Sequence, residues 1–204
     1  MHSNILTKTQ ASLLPLVKQF SSSFYLVGGT ALALQLGHRR SVDFDLFSFK
    51  PFDNAQIRRA IKQHGHTITQ VYIESISEFT LLVNGLKMTF YQYDYPINHH
   101  VKLENIITMP NSLTIAAMKA FALGHRAKWK DYVDLYFVFQ HRTLQEIVDK
   151  ANNIYGIGEF NERLFREQLT YHQDLDYSEP IEYMPNFAVD DKTIKQKLTA
   201  ISLT

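Results

Sequence analysis

Apolar and polar positions follow helical spacing at the start of this chain, extended spacing in the middle and helical spacing again toward the end. Residues 6 to 20 place Leu6, Leu13, Leu14, Leu16, Val17 and Phe20 largely on one helical face, with Thr7 or Thr9 available as the cap. Ser21-Ser22-Ser23 interrupts that pattern, and Phe24 to Val27 reads as a short buried strand. A Gly28-Gly29 turn leads into a small-residue helix, Thr30 to Leu36, with Gly37 where a helix ends in a left-handed residue. The basic loop His38-Arg39-Arg40 precedes an alternating segment, Ser41 to Phe47, that predicts a strand. Residues 53 to 64 form an amphipathic helical pattern capped by Asp53.

Residues 67 to 95 are rich in β-branched and aromatic side chains, which predicts strands near 68–75, 78–83 and 86–93. Asn84-Gly85 between the last two is a hairpin signal, because both residues tolerate the positive φ of a tight turn. The segment 98–110 reads as irregular. Helical spacing then returns over 112–124, ended by Gly124, and a second basic loop runs through Lys130. A helix follows from Asp131, another from Thr143 through Ala151 with a Thr143-x-x-Glu146 capping box, and another over 159–170. Gly156-Ile157-Gly158 reads as a turn and 171–189 as an ordered surface loop. Asp190 or Asp191 caps a terminal helix to about Leu198. The expected organisation is an α/β part over 1–97 and a mainly helical part over 98–204.

Composition narrows this only a little. The 204 residues are 45% hydrophobic and 20% charged, with a formal net charge of +1. That is enough chain to bury a core, and the balance gives no global pull toward nucleic acid or membrane. The absence of cysteine excludes disulfides and thiolate metal sites, in keeping with a reducing compartment. The N-terminus lacks a charged-then-apolar leader, and no run approaches the roughly 18–20 apolar residues of a membrane span, so a cytoplasmic location is expected.

Chemistry concentrates in residues 24 to 47. Asp43 and Asp45 are two apart, so an extended backbone puts both carboxylates on one face and Phe44 on the other. Two adjacent carboxylates raise each other's pKa unless a cation sits between them, and hard oxygen donors of this kind suit Mg²⁺ beside substrate phosphates. Gly28, Gly29 and Thr30 open a helix, where missing Cβ atoms let backbone N–H groups approach an anion. Arg40 and Ser41 stand close enough in sequence to touch the same phosphates, a solvated loop being the alternative for Arg39 and Arg40. Lys119 lies on an otherwise apolar helix, where a lone ammonium requires an anion: a triphosphate, or an ion pair with Asp131 or Asp134. Those two aspartates are three apart, on nearly one helix face. His38, His125 and His141 show no metal-ligand spacing.

Gly28-Gly29, then Asp43-Phe44-Asp45 after an interval of residues 30 to 42, resembles the signature of the DNA polymerase β-like nucleotidyltransferase superfamily. The fuller string from Val27 to Phe47, with Ala116-Ala-Met-Lys119-Ala and Lys130-Asp131-Tyr-Val-Asp134-Leu, is similar to the AbiEii/AbiGii-type toxin branch. The resemblance covers about residues 25 to 139. It implies an α+β fold, a mixed sheet with flanking helices followed by a helical part that closes the cleft. It implies a Mg²⁺-dependent enzyme moving NMP from an NTP to an acceptor hydroxyl: a tRNA 3′ end, a protein or a small molecule. It also implies a toxin paired with an antitoxin, or a phage-defence component, with the basic loops 38–40 and 125–130 meeting RNA phosphates. Asp43 and Asp45 would hold the metal, and Gly28, Gly29, Thr30, Arg40, Ser41 and Lys119 the nucleotide. Asp131 or Asp134 would act as a base or hold Lys119 and Lys130. The family usually adds a third carboxylate from a later strand, where this chain has Thr89. Glu74, Glu78 and Asp94 are the nearby acids. The alternative reading is therefore a catalytically weakened relative that binds nucleotide or a partner.

Overall fold

A computed structural model describes residues 1–156 and 158–204, so the expected turn at Gly156–Gly158 includes Ile157, which lies outside the described residues. The chain divides into two compact units, Met1–Asn111 and Ser112–Thr204.

In the first unit a 3₁₀ turn (Ser3–Ile5) leads to helix α1 (Lys8–Gln19). Thr7, rather than Thr9, caps it through a capping box with Gln10. Strand β1 (Tyr25–Val27) runs into α2 (Gly28–Leu36), and Gly37 ends that helix at φ 72°, the left-handed conformation a glycine adopts without a Cβ clash. Strand β2 (Phe44–Ser48) and α3 (Asn54–Gln63) follow, with the Asp53 carboxylate accepting from the Ala55 N–H. Strands β3 (Ile68–Glu74), β4 (Glu78–Val83) and β5 (Leu86–Gln92) complete one five-stranded sheet in the order β1-β2-β5-β4-β3. The β2–β5 pair is parallel and the rest antiparallel, so the sheet is mixed.

Strand period places Phe44, Leu46, Phe79, Leu81, Met88 and Phe90 on one fully buried face. Phe20 and Phe24 pack edge-on against Phe90 there. The opposite face carries Asp43, Asp45, Phe47, Lys87, Thr89 and Tyr91, all partly exposed.

The segment expected to be irregular, 98–110, instead contains the hairpin β6 (Val101–Leu103) and β7 (Ile107–Met109), and β7 packs on β1. This extends the first unit beyond the boundary expected at 97/98. The sequence carries no mark of this hairpin, because Glu104 takes the positive φ of 48° where a glycine would have signalled a turn.

The second unit is helical: α4 (Ser112–Leu123), α5 (Trp129–Val138), α6 (Leu144–Tyr155), α7 (Glu162–Thr170) and α8 (Asp191–Ser202). Thr143 forms the expected capping box, and Asp190 rather than Asp191 caps α8. The α4 helix packs on α5, α6 and α7, and α8 on α5 and α7. The loop 171–189 is tied to the start of α5, where the Trp129 N–H donates to the Asp176 carbonyl and the Asp176 N–H to that of Ala127. No helix of the described residues is long and apolar enough to cross a membrane.

Candidate active site

The strand–helix junction between β1 and α2 brings the glycines and the aspartates of the first unit together. Val27 pairs with Asp45 across β1–β2, and the chain turns at once into α2 with Gly28 at φ 70°. A Cβ built on Gly28 would lie 2.2 Å from Asp45 Oδ2, so the Asp45 carboxylate rests directly on the glycine backbone. At Gly29 a Cβ would meet Arg39 Nη2 at 2.6 Å and Ser41 Oγ at 2.8 Å. The opening of α2 is thus lined by a guanidinium, a hydroxyl and helix-terminal N–H groups, a setting suited to an anion.

The loop carrying Asp43 is fixed by polar contacts. Gln10, fully buried in α1, donates to the Ser41 carbonyl at 2.7 Å. Buried Thr30 donates to the Asp43 carbonyl at 2.5 Å and lies 3.3 Å from that of Ser41. The Thr30 proton is therefore directed at the loop backbone, and its hydroxyl positions Asp43. The basic loop 38–40 is not solvated as a whole: His38 and Arg39 are buried. Arg40 donates to the carbonyls of Ile5 at 3.2 Å and Asn4 at 3.5 Å, so Arg39 rather than Arg40 lies against Gly29.

Asp43 and Asp45 share the partly exposed face, as their spacing implies. Lys87 on β5 approaches Asp43 Oδ2 at 2.9 Å. Thr89 is the register partner of Asp45, which puts it beside the acidic pair. Thr89 Oγ1 lies 3.4 Å from that of Thr80, which donates to Glu78 Oε1 at 2.8 Å. Among the described residues no three His, Cys, Asp or Glu side chains form a metal-binding group. The donor chemistry of two partly exposed carboxylates fits Mg²⁺, which keeps several waters and takes one or two protein carboxylates when it travels with a nucleotide.

In the second unit, Lys119 on α4 is buried between two fully buried aspartates of α5. Its Nζ lies 2.5 Å from Asp131 Oδ1 and 2.8 Å from Asp134 Oδ2. Arg126 adds Nη2 at 3.1 Å to Asp131 Oδ2. Two cations thus face two carboxylates. Burial pushes the Asp131 carboxyl up, but the charges of Lys119 and Arg126 and the Lys119 hydrogen bond outweigh it and hold it below the usual range. The remaining lysines of the second basic loop are also paired: Lys128 reaches Glu179 at 2.5 Å and Lys130 contacts its other oxygen. Burial raises the Glu179 carboxyl, yet the two lysine hydrogen bonds and charges bring it down to about 2.

Sequence reasoning missed Lys87 beside Asp43, Gln10 beneath the Ser41 carbonyl and the seat of Arg39 against Gly29. Strand alternation could have placed Lys87 on the face of Thr89. Nothing local marked Gln10, whose partner lies on another element.

A family model described as "Nucleotidyl transferase AbiEii toxin, Type IV TA system" matches residues 16–200. An uncharacterized protein of Aquifex aeolicus (strain VF5) is 36% identical over 138 residues, covering 63% of this chain and 66% of that relative. Among solved structures, the MenT4 nucleotidyltransferase toxin of Mycobacterium tuberculosis H37Rv superposes with a TM-score of 0.61 at 15% identity, over 95% of this chain and 82% of that one. A putative nucleotidyltransferase of H. pylori gives 0.59 at 18%, over 95% and 91%. At these identities the superpositions establish the fold.

Proposed function

The chain belongs to the AbiEii nucleotidyltransferase toxin family, and from that premise we propose that it transfers NMP from an NTP to an acceptor hydroxyl as the toxin of a toxin–antitoxin pair. The observation that carries the proposal is that the Asp45 carboxylate fills the space a Gly28 Cβ would take, which sets the carboxylate pair beside the glycine opening of α2. The cradle N–H groups, with Arg39 and Ser41, hold the β- and γ-phosphates. Asp43 and Asp45 would hold Mg²⁺, which supplies charge neutralisation for the triphosphate when bound. The acceptor oxygen attacks the α-phosphorus in line, the bond from that phosphorus to the bridging oxygen breaks, and pyrophosphate leaves with the electron pair. The hydroxyl proton passes to water. The lowered pKa of Asp131 makes it a weak base, so its role here is to hold Lys119, together with Asp134. Lys119 has its counter-anions in Asp131 and Asp134, and Arg40 serves by anchoring the loop that carries Ser41.

The acceptor we favour is RNA, in particular a tRNA 3′ end, and the protein works in the cytoplasm alongside an antitoxin. Thr89 beside Asp45 supports a second reading, a weakened relative that binds NTP and transfers poorly, because a hydroxyl lacks the charge of a third carboxylate. Incubation with α-labelled NTPs, Mg²⁺, total RNA and total protein separates the two. Acceptor labelling that disappears in Asp43→Ala is expected; tight NTP binding with no labelled acceptor would establish the second reading instead.

A further inference from the structure

The face that bears the acidic pair continues into aromatic side chains. From Asp43, just before β2, through the strand, Asp43, Asp45 and Phe47 alternate with buried Phe44, Leu46 and Ser48; along β5, Lys87, Thr89 and Tyr91 alternate with buried Met88 and Phe90. Asp45 pairs with Thr89 and Phe47 with Tyr91. The Tyr93 N–H donates to the Ser48 carbonyl at 2.8 Å, which carries the pairing one step past β5. Phe47 lies with its ring centroid 5.1 Å from those of both Tyr91 and Tyr93, and Tyr93 lies 5.5 Å from Tyr95. All four rings are partly exposed. At about 3.3 Å per residue, the first of them begins roughly 6.6 Å beyond Asp45.

The direction of this row relative to the cradle decides what it serves. Strand β1 runs antiparallel to β2, pairing Tyr25 with Phe47 and Val27 with Asp45, and leaves the sheet at Gly28. The cradle therefore lies at the Asp45 end of β2 and the aromatic row at the other. In-line displacement puts the departing pyrophosphate and the attacking oxygen on opposite sides of the α-phosphorus. With pyrophosphate at the cradle, the acceptor approaches from the aromatic end.

We propose that Phe47, Tyr91 and Tyr93 form a stacking platform for the terminal bases of a single-stranded nucleic-acid acceptor, delivering its end hydroxyl toward Asp45 and Thr89. A succession of partly exposed rings suits successive planar bases, which stack on aromatic faces with little sequence preference. The platform rests on the nucleotidyl-transfer reading and adds the residues that seat the acceptor and the path by which it arrives.

The test uses the full chain and a short single-stranded RNA carrying 2-aminopurine next to its 3′ end, followed by fluorescence quenching and anisotropy. Tyr91→Leu and Tyr93→Leu are each expected to weaken RNA binding about 10-fold and to relieve the quenching, while NTP affinity and melting temperature stay near wild type. Tyr93→Trp, which keeps an aromatic face, is expected to bind RNA as wild type does. Wild-type RNA affinity and quenching in both leucine variants would overturn the platform, and so would labelling of protein with none of RNA. In either of those cases, label transfer that still depends on Asp43 would leave the nucleotidyl-transfer reading standing. Absence of transfer to any acceptor would sink that reading instead.

Discussion

Replacing Lys119 with methionine keeps most of its volume and removes its charge, which isolates the electrostatic part of the buried cluster. Lys119 Nζ contacts Asp131 at 2.5 Å and Asp134 at 2.8 Å, and both carboxylates are fully buried. Without it, Arg126, whose side chain is 50% exposed, still faces Asp131. Breaking one partner of a buried ion pair costs about 3–5 kcal/mol, because the remaining charge stays in a poor solvent. Set against a total stability of ~5–15 kcal/mol, that is a large fraction. The pH dependence carries a sign. In the wild type the Asp131 carboxyl is held below its unfolded value, so its contribution is complete above the unfolded pKa and is lost as pH falls through the folded one. In Lys119→Met, burial dominates and raises that pKa, so the variant's deficit is largest at neutral pH and shrinks as the carboxyls take up protons. Urea melts from pH 7.5 down to pH 5 measure both effects. Adding Asp131→Asn and Asp134→Asn to Lys119→Met should recover much of the loss, since the buried charges are then gone and Arg126 is half exposed to water. A Lys119→Met protein within about 1 kcal/mol of wild type at every pH would refute the reasoning.

Three further outcomes follow from the same geometry. Gly28→Ala forces a Cβ into the Asp45 carboxylate at a position of φ 70°, so it should lose Mg²⁺-dependent NTP binding in calorimetry and at least ~1 kcal/mol of stability. Thr89→Asp places a third carboxylate opposite Asp45 and should tighten Mn²⁺ binding about 10-fold by calorimetry while lowering the metal-free melting temperature; unchanged affinity would mean that Thr89 lies outside the ion's reach. The Tyr25 hydroxyl is buried with no hydrogen-bond partner among the described residues, and burial, then Tyr93, pushes its pKa up. Tyr25→Phe should therefore be neutral or stabilising by up to about 1 kcal/mol in a thermal melt.

Elements whose signals are local could be read in advance. Gly37, the Thr143 capping box and the Asn84-Gly85 hairpin each depend on a few neighbouring residues, and each is found where the pattern puts it. Alternation alone put Asp43 and Asp45 on one face. What the pattern could not give is register. Lys87 meets Asp43, and Thr89 faces Asp45, only because β5 pairs with β2 in parallel across a long connection. Basic loops were misleading for a related reason: Arg126, Lys128 and Lys130 look available to phosphate in the sequence, yet Asp131 and Glu179 hold them. Glu179 lies in a loop with no periodicity, so its pairing could not be foreseen.

Parallel reactions with α-labelled and γ-labelled NTP test the central claim most directly, run on wild type and Asp45→Asn with Mg²⁺ and total RNA. The account predicts α-label in the acceptor, γ-label in pyrophosphate, and loss of both in Asp45→Asn. Transfer of γ-label to the acceptor, or undiminished α-labelling by Asp45→Asn, would contradict it.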